Sequence, residues 1–252
     1  MIPNPWDIGT ARIMEKLGFE ALATTSAGLA FSLGMREGTV TPAQLLDHCR
    51  ALVNATQVPV SADLEKGFGD HPDDVAATIR QAAATGIAGG SIEDFTGDTD
   101  DPIFDFSLAV ERVQAGVQAA RNLTDDFVFT ARAENFLYGR PDLDDTIKRL
   151  QAFEAAGADC VYAPGLRSLD EIKMVCSAVT VPVNVIMGNP ALALSVDDLA
   201  EVGVKRISVG SALARHVFGA FVDATREISQ TGTFSFGQKM ISFGEMDDFF
   251  KS

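Results

Sequence analysis

The feature that most constrains the fold of this 252-residue chain is a repeated junction. Four times a helical stretch stops at a glycine and an apolar strand begins at once. The junctions are Gly18-Phe19-Glu20-Ala21, Gly86-Ile87-Ala88, Gly157-Ala158-Asp159-Cys160-Val161 and Gly203-Val204-Lys205-Arg206-Ile207. A glycine just past a helix takes the left-handed conformation without a Cβ clash and turns the chain into the strand. Between junctions, Leu143, Ile147 and Leu150, and likewise Val110, Val113 and Val117, recur at the spacing of one helical face. Asp73 and Asp142 stand where helix-start acids belong. The runs Val58–Ala62, Phe127–Ala131, Val161–Ala163, Val181–Ile186 and Ile207–Val209 are apolar almost throughout, which predicts a parallel sheet buried under helices.

Eight strands are expected, centred near Pro3, Leu22, Val60, Gly90, Phe129, Val161, Val183 and Ile207. Eight strand–helix units in about 250 residues is the arithmetic of an α/β chain folded as a (β/α)8 TIM-type barrel. The rival is an open doubly wound sheet. No G-x-G-x-x-G opens a helix after the first strand, which weighs against a dinucleotide-binding sheet. No low-complexity linker divides the chain. Residues 1–252 are therefore expected to be one barrel domain, with 231–252 as a helical tail. The first strand begins almost at Met1, so no helix is expected to plug the barrel bottom ahead of it.

Charge narrows the class of partner. Lys plus Arg number 20 against 35 Asp plus Glu, a formal charge of −15. That argues against nucleic acid and anionic membranes, which both need positive charge. The three cysteines, Cys49, Cys160 and Cys176, are odd in number and form no C-x-x-C, so neither a disulfide framework nor a Cys-rich zinc site is expected. Met1 to Asp7 lacks a basic and then apolar leader, and no apolar run reaches ~18 residues. A cytoplasmic enzyme is the expectation.

In such a barrel, chemistry belongs at the C-terminal strand ends. Those ends are acidic here: Asp63 and Glu65 after the third strand, Glu93 and Asp94 after the fourth, Arg132 and Glu134 after the fifth, with Glu37 beyond the second. Unpaired carboxylates gathered at one mouth repel one another and raise their pKa values. A hard cation such as Mg²⁺ resolves that conflict, using one or two carboxylates directly and keeping several waters. Zinc would prefer histidine, and none of His48, His71 or His216 sits at a strand end. Arg132 offers a fixed fork to a substrate carboxylate. Thr24-Thr25-Ser26-Ala27-Gly28-Leu29 is a small-residue segment whose amides can approach a ligand oxygen. Residues 95–105 read as a lid, the rival being an ordinary solvated loop.

Taken together, Ala62-Asp63-Leu64-Glu65-Lys66-Gly67-Phe68-Gly69, Ile92-Glu93-Asp94 and Ala131-Arg132 resemble, in order and spacing, the isocitrate lyase and phosphoenolpyruvate mutase superfamily. The resemblance runs from Asn4-Pro5-Trp6-Asp7 to about Gly219. It implies a Mg²⁺-dependent enzyme, with Mn²⁺ as a substitute, acting on a small 2-oxo acid through a pyruvate-like enolate. It implies that Asp63 binds the metal directly and that Glu65, Glu93 and Glu37 hold metal-bound waters. Thr25, Ser26, Ala27 and Gly28 fall on the substrate-binding segment, and Arg132 on the substrate clamp. Asn184 and Tyr162 are candidate polar liners at later strand ends, with packing as their rival role.

Departures narrow the reading. Isocitrate and methylisocitrate lyases carry a Lys-Lys-Cys-Gly-His loop, whereas no Cys, Lys or His lies between Asp94 and Asp105 here. The phosphonate-handling mutases use Lys and Asn in that loop, and neither is present. An acidic loop is poor company for a phosphoryl group. A carbon–carbon lyase or decarboxylase of the oxaloacetate-decarboxylase kind is therefore the leading expectation. A phosphonomutase or phosphonopyruvate hydrolase and a non-catalytic 2-oxo-acid binder are the alternatives. The tail carries Phe234, Phe236, Ile241, Phe243, Phe249 and Phe250, which calls for a covering surface. The resemblance supplies one, a last barrel helix swapped between subunits of a homodimer or homotetramer.

Overall fold

The computed structural model describes residues 1–251. Seven parallel strands form one sheet in sequence order: β1 Leu22–Ala23, β2 Val60–Asp63, β3 Gly89–Glu93, β4 Val128–Arg132, β5 Cys160–Tyr162, β6 Val183–Ile186 and β7 Arg206–Ser208. Helices cover it: α1 Ile8–Lys16, α2 Ser26–Ser32, α3 Pro42–Ala55, α4 Pro72–Ala83, α5 Phe106–Arg121, α6 Leu143–Ala155, α7 Leu169–Ala178, α8 Val196–Glu201 and α9 Ala212–Thr231. A 3-10 turn, Ser235–Lys239, and α10, Phe243–Phe250, follow. This is an α/β TIM-type barrel.

The expected eighth strand, around Pro3, is a correction. Its segment occupies the seam between β7 and β1 without forming a ladder: the Ile2 amide donates to the Ile207 carbonyl at 2.8 Å and the Ala23 amide to the Pro3 carbonyl at 3.0 Å. Pro3 and Pro5 have no N–H to donate, so backbone pairing cannot extend. Asn4 takes over with its side chain. Its Nδ2 donates to the Thr24 carbonyl at 2.8 Å, and its Oδ1 accepts from the Val209 and Gly210 amides at 2.8 and 2.9 Å.

The other strands fall one or two residues later or earlier than expected. β2 and β6 begin just after Pro59 and Pro182, which cannot donate to a ladder. These small shifts matter, because they make Asp63, Glu93, Arg132 and Tyr162 the last residues of their strands. The four junction glycines all adopt positive φ, between +90° and +99°. Asp142 caps α6, its side chain accepting from the Asp145 amide, while Asp73 lies in the first turn of α4, capped by His71. Phe129, Val161, Ile79, Leu150, Phe153 and Ile172 are fully buried between sheet and helices. Cys49 and Cys160 are buried free thiols and Cys176 is free and half-buried.

Candidate active site

The polar strand ends open into one cavity of about 820 Å³. Its lining includes Thr24 to Ala27, Glu37, Ser61, Asp63, Ser91, Arg132, Tyr138, Tyr162, Asn184 and Arg206. The register explains why these groups meet. Glu93 pairs with Arg132, Arg132 with Tyr162, Tyr162 with Asn184, and Asn184 with Arg206, a continuous polar row across five strands.

Arg132 lies at the centre of the charge. Its Nη1 stands 3.1 Å from Asp63 Oδ1 and 2.9 Å from Glu93 Oε1, and its Nε donates to Glu134 Oε1 at 2.7 Å. Its guanidinium also lies 4.8 Å from the centre of the Tyr162 ring. Burial opposes the charge on Arg132, but Glu134, Glu93 and Asp63 outweigh it and hold the pKa above its ordinary value. One guanidinium cannot neutralise three carboxylates, of which Glu93 and Glu134 are buried and Asp63 half-buried. Burial, and then repulsion by its neighbours, raises Glu93 well above the usual carboxylate range and pushes Glu134 up to about 7.

Asp63 is fixed from the other side by α2. The Ser26 hydroxyl donates to Asp63 Oδ2 at 2.8 Å and the Ser26 amide to the same oxygen at 3.2 Å. The Thr24 hydroxyl accepts from the Asp63 amide at 2.9 Å. Thr25 caps α2, its hydroxyl accepting from the Gly28 amide at 3.2 Å. That bond occupies the Gly28 amide, and a Cβ on Gly28 would stand 2.5 Å from Thr25 Cγ2 and 3.0 Å from Trp6 Cβ. Thr25, Ser26 and Ala27 line the cavity, whereas Gly28 packs behind it.

Glu65 sits on a strained turn at φ +51°, a conformation rarely adopted by a non-glycine residue. Its carbonyl accepts from the Glu93 amide at 2.9 Å, tying the ends of β2 and β3. Its Oε1 is buried and has no hydrogen-bond partner among the described residues. Burial, Asp63 and Glu37 push its pKa up to about 7, and burial and Asp63 also raise Glu37.

This donor set fits a hard divalent cation. Surplus buried negative charge and an orphaned carboxylate oxygen are what such an ion relieves. Among the described residues no three Asp, Glu, His or Cys side chains gather tightly enough to hold a metal directly.

Several functional neighbours were not singled out from the sequence. Glu134 is fully buried; its amide donates to Asp94 Oδ1 at 2.7 Å, and Asp94 Oδ2 is 3.1 Å from Arg149 on α6. Its place two residues after Arg132, on the same face of an extended chain, was the available signal. Asn4, Tyr138 and Arg206 had none, because only the closed barrel brings them to the cavity. The segment 95–105 folds on itself through a Phe95–Ile103 bridge and contributes no lining residue. Phe95 stacks on Tyr138 with ring centres 3.6 Å apart, and Lys66 donates to the Thr96 carbonyl at 2.5 Å.

Known proteins share both sequence and shape. An uncharacterized protein of Mycobacterium tuberculosis is 30% identical over 230 residues, covering 91% of this chain and 84% of its own. An oxaloacetate decarboxylase of Paraburkholderia xenovorans is 30% identical over 238 residues, 91% of this chain and 77% of its own. A crystal structure from Burkholderia cenocepacia J2315, provisionally named a lyase/mutase, is 54% identical with a TM-score of 0.96 and covers 100% of this chain and 90% of its own. A phosphonopyruvate hydrolase solved with oxalate and Mg²⁺ shares the fold at 23% identity and a TM-score of 0.85, over 98% of this chain and 88% of its own. The family described as phosphoenolpyruvate phosphomutase matches residues 1–229. The chain is thus an enzyme of that family, within the isocitrate lyase/phosphoenolpyruvate mutase superfamily.

Proposed function

We propose that the enzyme is a Mg²⁺-dependent carbon–carbon lyase or decarboxylase of small 2-oxo dicarboxylic acids, with oxaloacetate as the first substrate to test. The observation that carries this reading is the single buried guanidinium of Arg132 shared by Asp63, Glu93 and Glu134, beside the orphaned Glu65 Oε1. A divalent ion held by Asp63, and through water by Glu37, Glu65 and Glu93, would supply Lewis-acid polarisation of the 2-oxo carboxylate. The protein's own groups do the rest. Ser26 holds Asp63 in one rotamer. Thr25 and the Ala27 amide orient the substrate carboxylate. Arg132, with Nε and Nη1 committed to carboxylates, has Nη2 to stabilise negative charge on the substrate as the carbon–carbon bond breaks. Solvent or Tyr138 Oη returns the proton. Tyr138 lines the cavity, and burial with Glu93 and Glu134 raises its pKa, so it keeps its proton at neutral pH.

We assign the outer face of α9 to a homodimer or homotetramer contact. Only Ala214 of this 20-residue helix is buried, while Leu213, Val217, Phe221, Val222 and Ile228 are exposed. Among the described residues no helix is long and apolar enough to cross a membrane.

Oxaloacetate, methylisocitrate and phosphonopyruvate, each assayed with and without EDTA, test the reaction. The expected result is oxaloacetate turnover lost in EDTA and restored by Mg²⁺. Turnover of phosphonopyruvate alone would replace this reading with carbon–phosphorus chemistry.

A further inference from the structure

We infer that Arg206 is an anion subsite at the floor of the catalytic cavity, taking the distal carboxylate of a dicarboxylic 2-oxo acid. This deepens the reading above and rests on the same cavity being the substrate site.

Three observations carry it. Arg206, the first residue of β7, is half-buried and lines the cavity, yet among the described residues it forms no ion pair. Of the three buried arginines, Arg132 and Arg149 each lie within 4.0 Å of at least two carboxylates, and Arg112 has both Nη atoms taken up by the Lys66, Gly69 and Asp70 carbonyls. A guanidinium withdrawn from bulk water without a counter-charge is costly unless an anion completes it. Second, neutral groups hold it at fixed positions. Nε donates to Asn184 Oδ1 at 3.1 Å and Nη2 to Thr130 Oγ1 at 2.7 Å. Asn184 Nδ2 in turn donates to Ser208 Oγ at 3.0 Å. Among the described residues Nη1 has no protein partner, which makes it a preorganised donor for a ligand oxygen. Third, its placement suits a two-ended anion. Thr130 lies one inward-facing position below Arg132 on β4, and the polar row runs from Glu93 through Arg132, Tyr162 and Asn184 to Arg206. One end of the cavity is acidic and suited to a metal-bound 2-oxo carboxylate. The other is cationic and lacks a counter-charge.

The anchoring also links recognition to geometry. The same side chain that meets the distal carboxylate orients the Asn184 amide, so Arg206→Met both removes the charge and frees Asn184.

The test compares near-isosteric ligands. In the presence of Mg²⁺, 2-oxoglutarate and 2-oxopentanoate are titrated into the parent protein, Arg206→Met and Arg206→Lys by calorimetry, and oxaloacetate kinetics are run alongside. The parent is expected to prefer 2-oxoglutarate by about thirtyfold, the scale of a charge-assisted hydrogen bond. Arg206→Met is expected to bring that ratio to about unity, with Arg206→Lys between the two. The oxaloacetate KM should rise much more than kcat falls. A parent that does not distinguish the two acids, or Arg206→Met weakening both alike, overturns the subsite and leaves Arg206 as a structural strut. If the ratio behaves as expected but oxaloacetate is not turned over, the subsite stands and the decarboxylase reading falls. Oxaloacetate turnover with an indifferent ratio gives the reverse.

Discussion

At the scale of the residue, the site is a problem of unequal charge. Asp63, Glu93 and Glu134 converge on Arg132, and burial makes each uncompensated carboxylate expensive. The geometry of the guanidinium fork therefore matters as much as its charge. Arg132→Lys keeps one positive charge but cannot reach Glu134 and the Asp63–Glu93 pair from separate nitrogens. It is expected to cut kcat/KM for oxaloacetate by about 100-fold with an unchanged circular dichroism spectrum. Parent-like kinetics would show that the fork is dispensable. Asp63, Glu93 and Arg132 were readable from the sequence because strand ends and motif spacing placed them without knowledge of register. Arg206 was not. Its role comes from what lies across the barrel, since it reaches Thr130, 76 positions away in the chain.

At the scale of the element, the seam is where sequence reasoning and structure part. The Pro3 segment was expected to be a strand and instead closes the barrel with one backbone bond on each side and a buried asparagine. Period and hydropathy could not show this, since Asn4 replaces ladder bonds with side-chain bonds. Asn4→Ala strips the partners from two amides and a carbonyl. It is expected to cost about 3 kcal/mol of stability, read as a lower urea midpoint at constant m-value. By contrast the four glycine junctions were legible, because a helix-to-strand reversal at positive φ is a local demand. Helix α3 carries a pH response of its own. Burial lowers His48 from 6.5 to about 4, and its buried Nε2 has no partner among the described residues. The folded protein thus resists a proton that the unfolded chain accepts. Stability present above pH 6.5 should be lost as pH falls toward about 4, by up to ~3 kcal/mol. Urea midpoints at pH 7 and pH 5 for the parent and His48→Leu check this; an equal fall in both would clear His48 of the effect.

At the scale of the whole molecule, the acidic cavity mouth and the bare outer face of α9 make separate demands. Phe243 is 93% and Phe221 63% exposed, and α10 packs back against α1. Self-association through this surface should appear as a dimer or tetramer mass by light scattering, with Phe221→Asp shifting it toward monomer. A parent that is monomeric at micromolar concentration would contradict the assignment. The central claim is that the carboxylates gathered at the barrel mouth seat one hard divalent cation beneath a keto acid. Its most direct measurement is Mn²⁺ titration followed by electron paramagnetic resonance, in the presence of oxalate, for the parent and Asp63→Ala. One tightly held ion per chain in the parent, and none in Asp63→Ala, is the expected result. Equal Mn²⁺ binding by both proteins would contradict it.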